Sequence, residues 1–345
     1  MLQKYLPNGL AMSLAVSFLL PASLMMSSSG VYAAEDAIVI YSARKEHLIK
    51  PQLDEFTKQT GIKTLLYTGK DGALIERVKA ESERTEADIL MMADAGNLGY
   101  AAEQGLFQPL NSSVIKQNIP LNLRDADDFW TGLSVRARTL VYATERLQPN
   151  QLKDYEDLAD AKWQGKLCLR TSQKVYNKSL VASIIAHDGE AKAEKVVAGW
   201  VKNLAAKPYA KDSQVMEAIL AGRCDVGIVN TYYFGRLMAE KPDTKLALFW
   251  ANQETTGTHV NVSGAGIVKA SDQVDNARKL IEWLAQDQAQ KIYAEVNQEY
   301  PANPAVPVSA TVAAWGSFKA DELSLSEVVS RQQQAVRLMQ KAGYR

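Results

Sequence analysis

Cysteine is almost missing from this 345-residue chain: Cys168 and Cys224 are the only two. With no CxxC spacing and no Cys/His cluster, neither a redox-active pair nor a structural zinc site is indicated. Histidine is equally sparse. His47, His187 and His259 lie far apart, none at a metal-ligand spacing. Neither sign of charge is in excess, with 39 basic and 39 acidic side chains; a dedicated nucleic-acid binder would show a basic surplus or stripe. Enzymatic signatures are missing too: there is no GxSxG elbow, HExxH, Walker loop or GxGxxG behind a strand. Carboxylates are scattered as on solvated helix faces, and no heptad array, short repeat or low-complexity tract occurs. Catalysis is not indicated. What remains is an ordinary globular composition, 47% hydrophobic, long enough for two substantial lobes.

Long hydrophobic runs are confined to the start. Lys4 supplies a positive beginning, and "LAMSLAVSFLLPASLMM" at 10–26 is an uncharged apolar core. Small residues follow in "SSSGVYAAED", with Val31 and Ala33 at the positions that precede a cleavage site. This pattern predicts a secretory signal peptide at 1–33, cut after Ala33. As a membrane anchor the run is short and is broken by Pro21. No cysteine lies near the cut to carry a lipid, and no later stretch approaches about 20 apolar residues, so the mature chain is expected not to enter a membrane. In an exported protein the isolated pair Cys168 and Cys224 is expected to form a disulfide. Both lie in strand-like stretches, "KLCLR" and "GRCDVGIV", which as neighbours would bring the sulfurs together.

Short apolar runs then alternate with helical patterns. "AIVIYSAR", "IKTLLYT" and "ADILMMAD" read as strands; "EHLIKPQLDEFTKQTG", closed by Gly61, "GALIERVKAESE" and "AGNLGYAAEQG" read as the helices between and after them. That order predicts a mostly parallel, covered sheet. "FWTGLSVRARTLVYAT" is one long extended segment. A second α/β set follows: strand "GKLCLRT", helices in "SQKVYNKSLVASIIAH" and "DSQVMEAILAG", and strand "CDVGIVN". "LALFWAN" and "HVNVSGAGIV" lead to one long helix, "SDQVDNARKLIEWLAQDQAQKIYAEV", with Ser271 as its cap. "SEVVSRQQQAVRLMQKAG" is a last amphipathic helix. Two lobes joined by hinge strands, able to close on a ligand, and a single large α/β domain both satisfy this pattern.

Adjacent tyrosines, Tyr232 and Tyr233, stand where the strand "CDVGIVN" gives out. Side chains that neighbour each other in a strand or helix diverge, so two phenols converge only where the backbone turns. Asn230 or Thr231 is a candidate helix cap there. Tyr176 holds a similar place after "KLCLR" and the candidate caps Thr171 and Ser172. Tyr176 also falls in register with Leu180 and Ile184, and either member of the pair can pack with Phe234, so ordinary core tyrosines satisfy the spacing too. Phenolate, however, is a hard anionic donor suited to a small, highly charged cation. A free phenol has a pKa near 10, so only a strongly acidic metal ion displaces its proton at neutral pH; trivalent iron is the common candidate. Three phenolates neutralise it, and an anion completing the shell needs positive partners. Arg44 in "YSAR" and Arg136 in "RAR" are placed for that or for salt bridges, and Arg138 shares a face with Arg136 if the segment is extended.

Taken together, "YSARKEHL", "LSVRARTLVY", "LCLRTSQKVYNKSL", "CDVGIVNTYYFGRL" and "HVNVSGAGIV" resemble the periplasmic ferric-iron-binding proteins of ABC uptake systems over nearly the whole mature chain. The resemblance implies the two-lobe, type II periplasmic-binding α/β fold, with a first lobe of 34–133 plus 263–310 and a second of 134–262 plus 311–345. It implies that Tyr176, Tyr232 and Tyr233 bind Fe(3+), with Arg44 and Arg136 holding a synergistic anion such as carbonate. The family's first-loop histidine or tyrosine ligands are replaced here by Lys45 and Glu46, Glu46 being able to offer a carboxylate. An acidic ligand of some relatives matches Ala93, with Asp94 beside it; His47 reads as an ordinary helix residue. The implied role is that of a monomeric periplasmic carrier, not an enzyme, serving an inner-membrane ABC permease and its ATPase. The rival readings are a same-fold binder of an oxyanion or small organic anion without metal, and an exported hydrolase with a spatially assembled site.

Overall fold

A computed structural model describes residues 37–345; the leader read at 1–33 lies outside them. The strands are β1 (Ile38–Ser42), β2 (Thr64–Thr68), β3 (Ile89–Met92), β4 (Phe107–Gln108), β5 (Thr131–Ala143), β6 (Leu167–Cys168), β7 (Val226–Asn230), β8 (Leu246–Phe249), β9 (Val260–Val268) and β10 (Tyr300–Pro301). The helices are α1 (Lys50–Thr60), α2 (Asp71–Glu81), α3 (Ala95–Glu103), α4 (Ser113–Asn118), α5 (Val175–Asp188), α6 (Glu190–Asn203) and α7 (Asp212–Leu220). They continue as α8 (Thr231–Glu240), α9 (Val274–Leu284), α10 (Asp287–Asn297), α11 (Ala310–Ala313), α12 (Leu325–Ser330) and α13 (Gln332–Lys341).

The strand order is β2-β1-β3-β9-β5-β7-β6, with β4 added on β9 and both β8 and β10 on β5. Parallel pairs sit at the flanks, β1 with β2 and β3 on one side and β6 with β7 on the other. Antiparallel β9 and β5 join them. β5 is the long extended segment expected from "FWTGLSVRARTLVYAT". All 13 of its residues are buried. Its first half pairs with β9 up to Ala137, and from Arg138 onward it pairs with β7 and β8 instead. The change of partner falls between Arg136 and Arg138. Two buried cations on one strand need carboxylate or hydrogen-bond partners, and these partners shape the site described below.

Local signals account for the helix ends. Gly61 closes α1 with φ +73, a left-handed conformation that a side chain disfavours. Asp94 caps α3 by accepting from Gly96 N at 2.8 Å. The helix expected over 271–296 is instead two, α9 and α10, separated at Ala285 and Gln286. Ser271 does not cap it in the expected way: its hydroxyl donates to Asp88 Oδ1 at 2.6 Å and accepts from Gln273 N at 3.1 Å, ahead of the first helical turn. The last amphipathic stretch is likewise divided, at Arg331, into α12 and α13. α4, α6, α11, β4 and β10 have no counterpart among the expected elements; in α6, Ala193, Val196, Val197 and Trp200 are nonetheless buried at helical spacing. α12 packs on both α3 and α5. Gly99 permits the α3 contact, since a Cβ there would lie 2.1 Å from Val329 Cγ1.

Cys168 ends β6 and Cys224 lies just before β7, the parallel neighbour, so the expected disulfide forms, with Cα atoms 5.9 Å apart. It closes a sequence separation of 56 residues. In the chain-entropy account a loop of this size is worth about 4 kcal/mol. The Cys168→Ala/Cys224→Ala double variant is therefore expected to lose about that much stability in urea titrations followed by circular dichroism. An unchanged midpoint would show that the bond constrains nothing that folding must constrain.

Candidate metal centre

Strands β6 and β7 run side by side, and each feeds a chain reversal into a helix. Tyr176 is the second residue of α5, and Tyr232 and Tyr233 are the second and third of α8. Because the two helices start at the same edge of the sheet, the three phenols meet. Tyr232 Oη donates to Tyr176 Oη at 3.2 Å. The Tyr232 and Tyr233 rings lie 4.4 Å apart at 40°. All three line one cavity of about 220 Å³, together with Arg44, Arg136 and Glu299 and the rim cations Lys45, Lys174 and Arg236. Tyr176 and Tyr232 are nonetheless 8% and 7% exposed: they face a cavity from inside the protein.

A layer of buried polar groups fixes the two helix starts. Asn230, a candidate cap, makes no capping bond. Its side chain accepts from Arg138 Nη1 at 3.0 Å and donates to Tyr232 Oη at 3.2 Å. Arg138 also donates to Asn177 and Asp212, and Asp212 accepts from Asn230 N at 3.0 Å. Thr171 and Ser172 do not cap α5 either; Lys174 precedes it without a side-chain bond. Here the sequence reading missed a residue. Arg170 is buried, pairs with Asp212 at 3.4 Å, and places its guanidinium 5.4 Å from the Tyr176 ring and 6.0 Å from that of Tyr233. Its signal was weak, one arginine at the end of an apolar strand.

Arg44 and Arg136 both reach the cavity, each already attached to a carboxylate. Arg136 Nη2 pairs with Asp94 at 2.6 Å, while Nη1 is buried without a hydrogen bond among the described residues. Arg44 Nη2 pairs with Glu299 at 2.8 Å, and Nη1 donates to Ser134 Oγ at 3.3 Å. Glu299 is a second residue that the sequence did not reveal. Asp94 stands behind Arg136 rather than in the cavity wall; Ala93 lines the wall. Glu46 and His47 are exposed in a short 3-10 turn and are not among the lining residues, although Lys45 and Leu48 on either side are.

Burial dominates the electrostatics. It pushes the Tyr176 phenol up to about 12, helped by the neighbouring Tyr233 and opposed by Arg136. Burial and the two adjacent phenols raise Tyr232 well above the ordinary range. In the metal-free protein both are therefore protonated at neutral pH. No group of three or more His, Cys, Asp or Glu side chains able to hold a metal occurs among the described residues. Convergent phenols, which become hard anionic donors once deprotonated, are the alternative ligand set.

A family model described as bacterial extracellular solute-binding protein matches residues 42–291. Iron uptake protein A1 of Synechocystis sp. is 39% identical over 317 residues, 90% of this chain and 88% of that protein. The major ferric iron-binding protein of Neisseria meningitidis serogroup B is 30% identical over 315 residues, 89% of this chain and 92% of that one. A Trichodesmium protein (IdiA, FutA) solved in complex with iron and citrate ligands matches with a TM-score of 0.87 at 41% identity, covering 90% of this chain and 100% of that one.

A phenol that ionises at higher pH in the folded chain than in the unfolded chain binds its proton more tightly when folded. Its contribution to stability is complete below the unfolded value near 10 and is lost as pH rises through about 12. Urea titrations of the metal-free protein between pH 9 and 12 should show this loss. In Tyr176→Phe the decline should be smaller by roughly 3 kcal/mol, the linkage equivalent of about two pH units. Parallel declines in the two proteins would contradict the raised ionisation of Tyr176.

Proposed function

This chain belongs to the bacterial extracellular solute-binding protein family, and from that premise we propose that it captures ferric iron in the periplasm and hands it to an inner-membrane ABC permease with its ATPase. The fold is the type II periplasmic-binding fold expected from the sequence. The observation that carries the iron reading is the meeting of Tyr176, Tyr232 and Tyr233 around one cavity. The family is one of solute-binding transport proteins, and the reading involves capture and release rather than a reaction.

Ferric iron enters as cargo. The trivalent charge makes deprotonation of the phenols favourable, so Tyr176, Tyr232 and Tyr233 release protons as they take the metal. Three phenolates balance the charge, and the coordination positions left over go to a small anion held by Arg44 and Arg136. Carbonate fits that role; the citrate that accompanies iron in the Trichodesmium protein supports a carboxylate-type anion at such a position. The tyrosines come from the second α/β set and Arg44 from two residues beyond β1. We assign 34–133 plus 263–310 to one lobe and 134–262 plus 311–345 to the other, with β5 and β9 as the crossing strands. Contacts from both lobes to metal and anion then favour the closed arrangement.

Two outcomes are expected. Adding ferric iron to metal-free protein should produce a visible phenolate-to-iron charge-transfer band with release of protons, so that affinity falls as the pH is lowered. Tyr232→Phe should weaken binding by more than about 100-fold, above the range seen when only a supporting partner of a ligand is lost, while circular dichroism stays unchanged. Metal binding without proton release, or an unaltered titration in Tyr232→Phe, would refute phenolate ligation and leave the reading of an anion carrier.

A further inference from the structure

Arg44 is placed to receive the anion, yet its guanidinium is already occupied. Glu299 binds it through both carboxylate oxygens, Oε2 to Nη2 at 2.8 Å and Oε1 to Nη1 at 3.5 Å. The two side chains are only 3% and 6% exposed. Both belong to the wall of the tyrosine cavity, in which Glu299 is the sole carboxylate among the described lining residues. A carboxylate is planar, bidentate and singly charged, the same shape that carbonate or an organic acid presents to a guanidinium.

The second arginine supplies the contrast. Asp94, which pairs with Arg136, also accepts from Gly96 N at 2.8 Å and Ser179 Oγ at 2.8 Å, and lies 3.4 Å from Asn261 Nδ2. It is locked in place outside the cavity. The Glu299 carboxylate, by comparison, is hydrogen-bonded to Arg44 alone among the described residues. It is carried on the turn between α10 and β10 rather than inside either element. One carboxylate is structural and fixed; the other has a single attachment and open space beside it.

We propose that Glu299 is a built-in occupant of the anion site: it holds Arg44 in the metal-free protein, and the anion that accompanies iron takes Arg44 by displacing it. This deepens the ferric reading and rests on it for its purpose. A buried guanidinium without a partner is costly, so an internal carboxylate offsets the charge of Arg44 in the unloaded site. The displaced carboxylate finds the rim cations Lys45 and Lys174 on the same cavity. Entry then becomes a competition between two carboxylate-like groups for one fork. This favours planar, bidentate anions over chloride and makes the anion requirement tunable at one residue.

The test uses bicarbonate as the probe and metal-free protein, titrated calorimetrically with chloride at equal ionic strength as the control. Glu299→Gln should bind bicarbonate at least tenfold more tightly than wild type, and its thermal midpoint should rise more steeply with bicarbonate. Adding Arg44→Met to that variant should abolish the gain. Glu299→Asp, which retains the charge on a shorter arm, should fall between wild type and Glu299→Gln and serves if the latter does not fold. Bicarbonate affinity in the Glu299 variants equal to or below that of wild type would overturn the proposal, as would a gain that survives Arg44→Met. So would a Glu299→Gln protein that loses iron at every bicarbonate concentration, because Glu299 would then be a ligand rather than a placeholder. Failure of the ferric reading would show separately, as no charge-transfer band in wild type, and the metal-free titration would still decide the role of Glu299.

Discussion

Two phenol oxygens held 3.2 Å apart in a buried cavity set the terms for the rest of this protein. As neutral groups they share a hydrogen bond. As a pair of phenolates they would repel by about 5 kcal/mol at an effective dielectric constant near 20. Burial adds to that cost, which is why both ionisations are raised. A cation placed between the oxygens reverses the sign of the problem. The higher its charge, the more completely it offsets both repulsion and desolvation. The arrangement is therefore poor at holding protons off by itself and well suited to a small trivalent ion.

Keeping the oxygens that close is the task of the layer beneath them. Arg138, on β5, is bonded to residues on both helix starts: Asn177 on α5, and Asn230, which precedes α8. Asp212 receives Arg138 and Arg170 and also Asn230 N, so one carboxylate draws together β5, β7 and the segment that follows β6. The Cys168–Cys224 bond ties the same two parallel strands. Such a network is specific because each member is buried and would be expensive if left unpaired. It resembles a jig: two helix N-termini are set at fixed separation, and the tyrosines inherit their geometry from it.

The longer strands and most helices are legible in the sequence because each rests on local information, and the tyrosine trio stands out through the family resemblance; the two-residue strands β4 and β10 are not legible. Alternating apolar runs gave the parallel flanks, the uninterrupted run around Arg136 and Arg138 gave β5, and Tyr176, Tyr232 and Tyr233 stand immediately after strands. What was not legible depends on distant partners. Arg44 and Glu299 are 255 residues apart, and nothing at either position announces the other. Arg170 reads as the end of a strand, because its partner Asp212 is 42 residues away at the start of α7. Asn230 has the residue type of a helix cap, but Arg138 and Tyr232 compete for its amide and win. The single helices expected over 271–296 and at the C-terminus divide at Ala285 and Arg331, since apolar periodicity continues across a break that only tertiary packing imposes. α6 is different: its apolar spacing at Ala193, Val196, Val197 and Trp200 is local and is present in the sequence.

The central claim is that three tyrosine oxygens share one metal ion. The most direct measurement is a crystal structure of the protein loaded with ferric iron, with anomalous difference maps on either side of the iron absorption edge. The account predicts one edge-dependent peak in the cavity, within bonding distance of the Oη atoms of Tyr176, Tyr232 and Tyr233. A peak elsewhere, or one reached by fewer than three of those oxygens, would contradict it.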